Sequence, residues 1–219
     1  MNNNVASQNR LASISEQVNC ELTIRPTDLI VKMFDTRIEM IKALIPENSI
    51  LCELGVFKGD FASELYKLNP KHLYLCDLWP NAPLYSGNED GRHGEFYNGV
   101  DLYEHVSCRF YDNLNISIYR ECSDTFIKKL PDAFLDGVYI DANHSYDAVK
   151  SDLNAIFPKM KYGGVIMGHD YECNPAKASE LFETGVKQAV DEFCKERNLE
   201  INAKANDGCV SFAIFSSIR

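Results

Sequence analysis

Glu53-Leu54-Gly55-Val56-Phe57-Lys58-Gly59 is the stretch on which the fold turns, because the apolar run Ile50–Leu54 stops there and a helical pattern begins just beyond it. Glycines at both ends of such a turn let backbone approach a ligand closely. A dinucleotide turn of the GxGxxG kind packs a pyrophosphate against the N-terminus of the following helix. Here the spacing is ExGxxxG, and Asp60 at the helix start disfavours a phosphate. Since a glycine turn after any first strand also has a purely structural reading, the segments around it have to decide.

Outward from that turn, apolar runs alternate with helical patterns. Phe61–Leu68 reads as helix, His72–Cys76 as strand, Ile116–Tyr119 as strand, Thr125–Leu130 as helix, Leu135–Ile140 as strand, Tyr146–Met160 as helix and Gly164–Met167 as strand. Such alternation means βαβ units on a parallel sheet. The last third departs from it: a helix around Gly185–Arg197 precedes runs at Leu199–Ala203 and Cys209–Phe215, joined by Asn206-Asp207-Gly208. Asp-Gly between two strands signals a hairpin. The expected fold is therefore α/β, a Rossmann-like doubly wound sheet that is mainly parallel and closes on a C-terminal antiparallel hairpin. Upstream, Leu29, Ile30, Met33, Phe34, Ile38, Ile41 and Leu44 recur at three- and four-residue steps, predicting one helix from near Pro26-Thr27 to a point before Pro46. Residues 1–24 read as a polar N-terminal arm, 25–219 as a single domain, and 78–98, with Pro80, Pro83, Gly87, Gly91 and Gly94, as an irregular insertion.

Bulk properties narrow the classes. A chain of 219 residues that is 45% hydrophobic holds one α/β domain with a full core and is short for two. A net charge of −10 without a basic run argues against nucleic acid as partner. No stretch approaches the roughly 20 apolar residues of a membrane span, and Met1-Asn2-Asn3-Asn4 lacks the order of a signal peptide, so a cytoplasmic protein is expected. The eight cysteines, at 20, 52, 76, 108, 122, 173, 194 and 209, include no CxxC pair and are expected to be reduced, structural thiols.

Asp77 ends the run His72–Cys76, where a carboxylate can accept hydrogen bonds from the ribose hydroxyls of an adenosine. On these residues the chain resembles class I S-adenosylmethionine-dependent methyltransferases over about Ile50 to Phe215. Within that class it is similar to the metal-dependent small-molecule O-methyltransferases, of catechol and macrolide-sugar types. Their cofactor carries no phosphate, in keeping with the ExGxxxG turn. The resemblance implies that Glu53, Gly55 and Gly59 cradle the methionine part, that Asp77 holds the ribose, and that Ser123 and Asp124 lie beside the adenine. Ser123 and Asp124 also read as a cap on the helix Thr125–Leu130.

Val138-Tyr139-Ile140 presents Asp141-Ala142-Asn143-His144 at its end, and Val165-Ile166-Met167 presents Gly168-His169-Asp170. Adjacent parallel strands bring both carboxylates to one sheet edge, where with water and substrate oxygens they suit magnesium. Strand-end aspartates are also common without a metal. The resemblance implies that Asp141 and Asp170 are the metal ligands, but Tyr171 stands where many relatives carry a third, leaving Glu172, Asn143 or water to complete the sphere. His144 matches the relatives' Asp-x-x-His, whose histidine is the proposed base for an acceptor hydroxyl. His144 reads alternatively as a helix N-terminal residue bonded to Asp170 or His169, and His169 is ambiguous in the same way. The implied activity is methyl transfer to a hydroxyl on a small molecule, a sugar or polyol, with Mg2+ assistance. Tyr85, Arg92, His93, Phe96 and Tyr97 of the insertion would line a substrate lid. Two further readings stand beside it: a non-catalytic S-adenosylmethionine-binding accessory protein, and a nicotinamide-dependent oxidoreductase, which loop spacing and hairpin disfavour. The sequence determines neither the acceptor nor the subunit number, so a homo-oligomer stays open.

Overall fold

A capping box starts the first helix later than the apolar stripe predicts. Thr36 Oγ1 accepts from the Glu39 N–H at 3.3 Å and the Glu39 carboxylate accepts from the Thr36 N–H at 3.2 Å, so α1 is Arg37–Leu44. Met33 and Phe34 lie instead in a short strand, β1 (Lys32–Phe34), which pairs with β7 (Ala203–Asn206) at the sheet edge. Edge pairing satisfies the backbone of 32–34, which a helix start at Thr36 would leave without partners. The computed structural model describes residues 31–79, 101–173 and 185–216. The N-terminal arm, the start near Pro26-Thr27 and most of the proposed lid lie outside the described residues. All described residues belong to one compact unit, Val31–Arg219.

The remaining elements follow the expected alternation: β2 (Ile50–Leu54), α2 (Asp60–Tyr66), β3 (His72–Asp77), α3 (Leu102–Arg109), β4 (Ile116–Arg120), α4 (Ser123–Ile127), β5 (Leu135–Ile140), α5 (Tyr146–Ile156), β6 (Met160–Cys173), α6 (Val186–Arg197) and β8 (Cys209–Phe215). Helix α3 was not legible in the polar stretch that holds it. Asp101 caps it, accepting from the N–H groups of Tyr103 and Glu104, and Leu102, Val106 and Phe110 supply an apolar edge at four-residue steps. Strand β6 is longer than the predicted Gly164–Met167, and β7 lies nearer the turn than the predicted Leu199–Ala203.

The sheet runs β1-β7-β8-β6-β5-β2-β3-β4. Among the described strands only β8 opposes the rest, pairing antiparallel with both β6 and β7. Strand residues alternate between two cores. Cys52, Leu54, Val138, Ile140 and Ile166 pack with α4, α5 and α6, whereas Leu51, Leu73, Tyr139, Val165 and Met167 pack with α1, α2 and α3. No helix among the described residues is long and apolar enough to cross a membrane. Cysteines 52, 76, 108, 122 and 194 are free thiols as expected. Cys209 departs from that expectation, because it is disulfide-bonded.

Candidate functional site

Strand order reverses between β2 and β5, with β3 and β4 to one side and β6 to the other. In open α/β sheets a crevice for ligands forms at the carboxyl ends of the strands there. The carboxyl ends of β2, β3 and β5 and the later part of β6 meet at that point, where Gly55, Asp77, Asp141 and Asp170 lie.

Gly55 has φ +87°, and a Cβ built on it would lie 2.0 Å from the Asp141 carbonyl oxygen and 2.7 Å from the Ala142 Cα. The first loop thus presses backbone to backbone on the loop after β5, which no side chain permits. Gly59 caps α2 at φ +76°, with the Phe110 ring 2.9 Å from its notional Cβ. Asp77 holds the loop between them: its Oδ2 accepts the Val56 and Phe57 N–H groups at 2.8 and 2.9 Å, and its Oδ1 accepts the Trp79 N–H at 2.9 Å. A carboxylate has about four acceptor sites, so this clamp leaves about one for a ligand. Trp79 closes the arrangement, buried and donating its indole N–H to the Phe57 carbonyl at 2.8 Å.

Glu53 is the anomaly beneath the loop. Its residue is 2% exposed and its Oε2 has no hydrogen-bond partner among the described residues. Burial first, then repulsion from Asp141 and Asp77, pushes its carboxyl well above the ordinary range, and Arg37 pulls partly against that. An orphaned buried acceptor beside two other carboxylates fits a ligand that brings a positive group.

The side beyond β4 is arranged differently from a simple cap. Cys122 is the N-cap of α4 and caps with no side chain, while the Ser123 hydroxyl donates to Asp152 Oδ1 of α5 at 2.7 Å. Asp152 is buried, and burial raises its carboxyl above the ordinary value against the opposing Ser123 bond. Asp124 is engaged with Lys128 at 3.1 Å and Thr125 at 3.3 Å.

Just past the end of β5 and within the later part of β6, two aspartates and two histidines face one another. His144 Nε2 is 3.1 Å from Asp141 Oδ1 and 3.2 Å from Asp170 Oδ2, so the alternative contact with Asp170 is present alongside that with Asp141. His169 Nδ1 is 3.1 Å from Asp170 Oδ1 and 4.0 Å from Asp141 Oδ2. The bond to Asp141 raises the His144 pKa; burial opposes this, and the charges of Asp170 and Asp141 add to it. For Asp170, burial would raise the carboxyl, but His169, His144 and Arg37 together leave it lowered. Donor atoms of Asp141, His144 and Asp170 all lie within 4.8 Å of one another, a spacing that can hold a metal ion. The donor set, two carboxylates and an imidazole, is of the kind that takes a divalent cation.

Arg37 was not singled out from the sequence. Its side chain lies 3.9 Å from Asp141 and 3.5 Å from Asp207 at the hairpin tip, and over the Phe61 ring at 4.7 Å. The Asp207 carboxylate also accepts the Arg37 backbone N–H at 3.1 Å, so the first helical residue and the last turn meet at the site. No sequence signal marked this contact across 170 residues. Asp152 did carry one: it is a carboxylate among the buried positions Val149, Leu153 and Ile156 of α5.

A family model for a methyltransferase domain matches residues 52–171, more than half of the 219-residue chain. No curated protein matches. Among solved structures, the chain is similar to a SAM-dependent methyltransferase from Aquifex aeolicus (TM-score 0.57, 10% identity, covering 82% of this chain and 88% of that one). It is similar also to the N-methyltransferase NodS from Bradyrhizobium japonicum (TM-score 0.56, 12% identity, 82% and 93% covered). Fibrillarin from Aeropyrum pernix, solved with natively bound S-adenosyl-L-methionine, gives a TM-score of 0.56 at 14% identity, with 81% of this chain and 72% of that one covered. At these identities the structural likeness speaks for the fold.

Proposed function

This chain belongs to the methyltransferase-domain family of S-adenosylmethionine-dependent class I enzymes, and from that premise we propose that it methylates a hydroxyl on a small molecule, a sugar or polyol, with help from a divalent cation. The observation that carries this reading is the Asp141, His144 and Asp170 cluster facing the Gly55 loop across the switch point. When bound, S-adenosylmethionine supplies an electrophilic methyl on a sulfonium, and Mg2+ supplies a Lewis acid that lowers the pKa of the acceptor hydroxyl.

The chain's own residues do the rest. Glu53 receives the ammonium of the methionine part at its unpartnered oxygen. Gly55 and Gly59 let backbone lie against that part, and Asp77 offers its remaining acceptor to a ribose hydroxyl. Ser123 and Asp124 flank the adenine, with Ser123 held in place by Asp152. Asp141 and Asp170 would hold the cation, and keeping the acceptor oxygen in line with the methyl would supply most of the rate. His144 takes the hydroxyl proton, and the two carboxylates beside it stabilise the imidazolium that results.

The test is a methyl-transfer screen over sugars, polyols, phenols and small acids, with chelator and with Mg2+ restored, for wild type, Asp141→Asn and Asp170→Asn. Turnover of a hydroxyl acceptor that chelator and both variants abolish is expected. Turnover indifferent to all three would refute the metal roles. Tight binding of S-adenosylhomocysteine with no acceptor turned over would move the protein to the accessory reading.

A further inference from the structure

Arg37 brings a permanent positive charge to the edge of the Asp141, His144 and Asp170 cluster. It is the first residue of α1, where a cation opposes the helix dipole, so contacts outside the helix have to account for its place. Its Nε stands 3.5 Å from Asp207 Oδ2, and its own backbone N–H donates to that same oxygen at 3.1 Å. The guanidinium carbon lies 4.7 Å from the centre of the Phe61 ring, and the group also meets the hydroxyl of the buried Tyr139. The hairpin tip, α2 and β5 therefore each hold it. Asp141 is the looser of its two ion-pair partners, with Oδ2 3.9 Å from Nη1, which is beyond hydrogen-bond reach. Arg37 stands beside that carboxylate without gripping it.

Resting on the metal reading above, we infer that Arg37 is a fixed counter-charge that weakens the divalent site at Asp141 and Asp170, and that Asp207 limits the weakening by holding the guanidinium off Asp141. An ion bound by Asp141 sits about 2.1–2.5 Å from a carboxylate oxygen, and so on the order of 4–8 Å from the guanidinium. At about 6 Å, even with the full screening of water, repulsion between a single and a double positive charge changes a binding constant about tenfold. The guanidinium stays charged at any working pH, so the effect is constant.

Asp207 acts in the opposite direction. Its one oxygen takes both the side chain and the backbone of Arg37. Without that carboxylate the guanidinium can close the 3.9 Å gap and bond Asp141 Oδ2 directly, occupying an oxygen that the ion needs.

The experiment titrates the chelator-stripped full chain calorimetrically with MgCl2 and with MnCl2 at low ionic strength, for wild type, Arg37→Gln, Arg37→Lys and Asp207→Asn. Arg37→Gln is expected to bind both ions roughly tenfold more tightly than wild type, and the gap should shrink in about 1 M salt. Arg37→Lys keeps the charge and should stay within about threefold of wild type, whereas Asp207→Asn should bind about three- to tenfold more weakly. A merely structural role would instead lower the melting temperature of Arg37→Gln and Asp207→Asn and move both ion affinities the same way. Arg37→Met serves if the Gln variant does not fold. Wild type that binds an ion while the folded Gln or Met variant binds it no more tightly overturns the inference and leaves the metal reading standing. Binding by neither wild type nor the Arg37 variants brings down both.

Discussion

Replacing Glu53 by Gln should make the free protein more stable and its cofactor complex weaker, two effects that a merely structural glutamate would not combine. The side chain sits 2% exposed in β2 with Oε2 unpartnered. Its folded carboxyl value lies above the unfolded one, through burial and the repulsion of Asp141 and Asp77. The sign follows from linkage: the contribution of such a group is intact below the ordinary glutamate value of about 4.3 and is lost as pH rises through the folded value. Gln does not titrate, so the stability of Glu53→Gln minus that of wild type should grow as pH rises. A buried unsatisfied acceptor costs about 1–3 kcal/mol, and more when charged. At about 2–4 °C per kcal/mol for a chain of this size, the variant should melt about 2–12 °C above wild type at the alkaline end, and close to it near pH 4. Losing one charge-assisted bond of about 1.5–3 kcal/mol should weaken S-adenosylhomocysteine binding roughly 10- to 150-fold. Differential scanning calorimetry from pH 4 to 8 and isothermal titration read the two effects separately. A variant that melts below wild type at every pH and binds the cofactor product normally would refute the reasoning, because Glu53 would then be serving an internal contact.

Asp77→Ala removes three backbone hydrogen bonds as well as the remaining acceptor; cofactor affinity should fall about ten- to a hundredfold, and unchanged affinity in a folded variant would sink the ribose role. His144→Gln should lower kcat by about 10²–10⁴ with cofactor affinity nearly intact, whereas a drop in melting temperature with turnover within severalfold would make His144 a packing residue. Gly55→Ala places a Cβ 2.0 Å from the Asp141 carbonyl, so a soluble variant that binds S-adenosylhomocysteine with wild-type affinity would contradict the loop contact. Ser123→Ala strands the buried Asp152 oxygen and should cost about 1–3 kcal/mol in thermal or urea unfolding, while Asp152→Asn, which keeps an acceptor, should cost less; the reverse order would show that the bond is incidental.

Much of the frame was legible because burial imposes periods on the chain. Ile50–Leu54, Leu135–Ile140 and Cys209–Phe215 have the bounds that their apolar runs predict, since central strands are covered on both faces and read as continuous apolar runs. The stripe from Leu29 to Leu44 misled because its apolar spacing runs across two elements, the edge strand β1, where Met33 is 62% exposed, and α1, which buries Met40 and Ile41, with the capping box Thr36–Glu39 between them. Helix α3 escaped because Leu102, Val106 and Phe110 are too sparse to stand out among charged neighbours. Cys209 was misjudged because spacing along the chain does not reveal which sulfurs meet in space.

What the sequence determined by itself was the α/β alternation, the glycine turn after β2 and the acidic residues at four strand ends, all written in local pattern. Tertiary structure alone decided what those residues face. Pairing β2 with β5 and β5 with β6 set Asp141 beside Gly55 and Asp170, and the register shift at Gly168–Glu172 turned His169 toward the same carboxylates. The hairpin brought Asp207 to Arg37, and packing of α4 on α5 gave Ser123 to Asp152 rather than to a helix cap. Local pattern records which side of an element is buried; contacts between elements far apart in the chain depend on strand order, register and backbone breaks, which appear only when the whole sheet has closed.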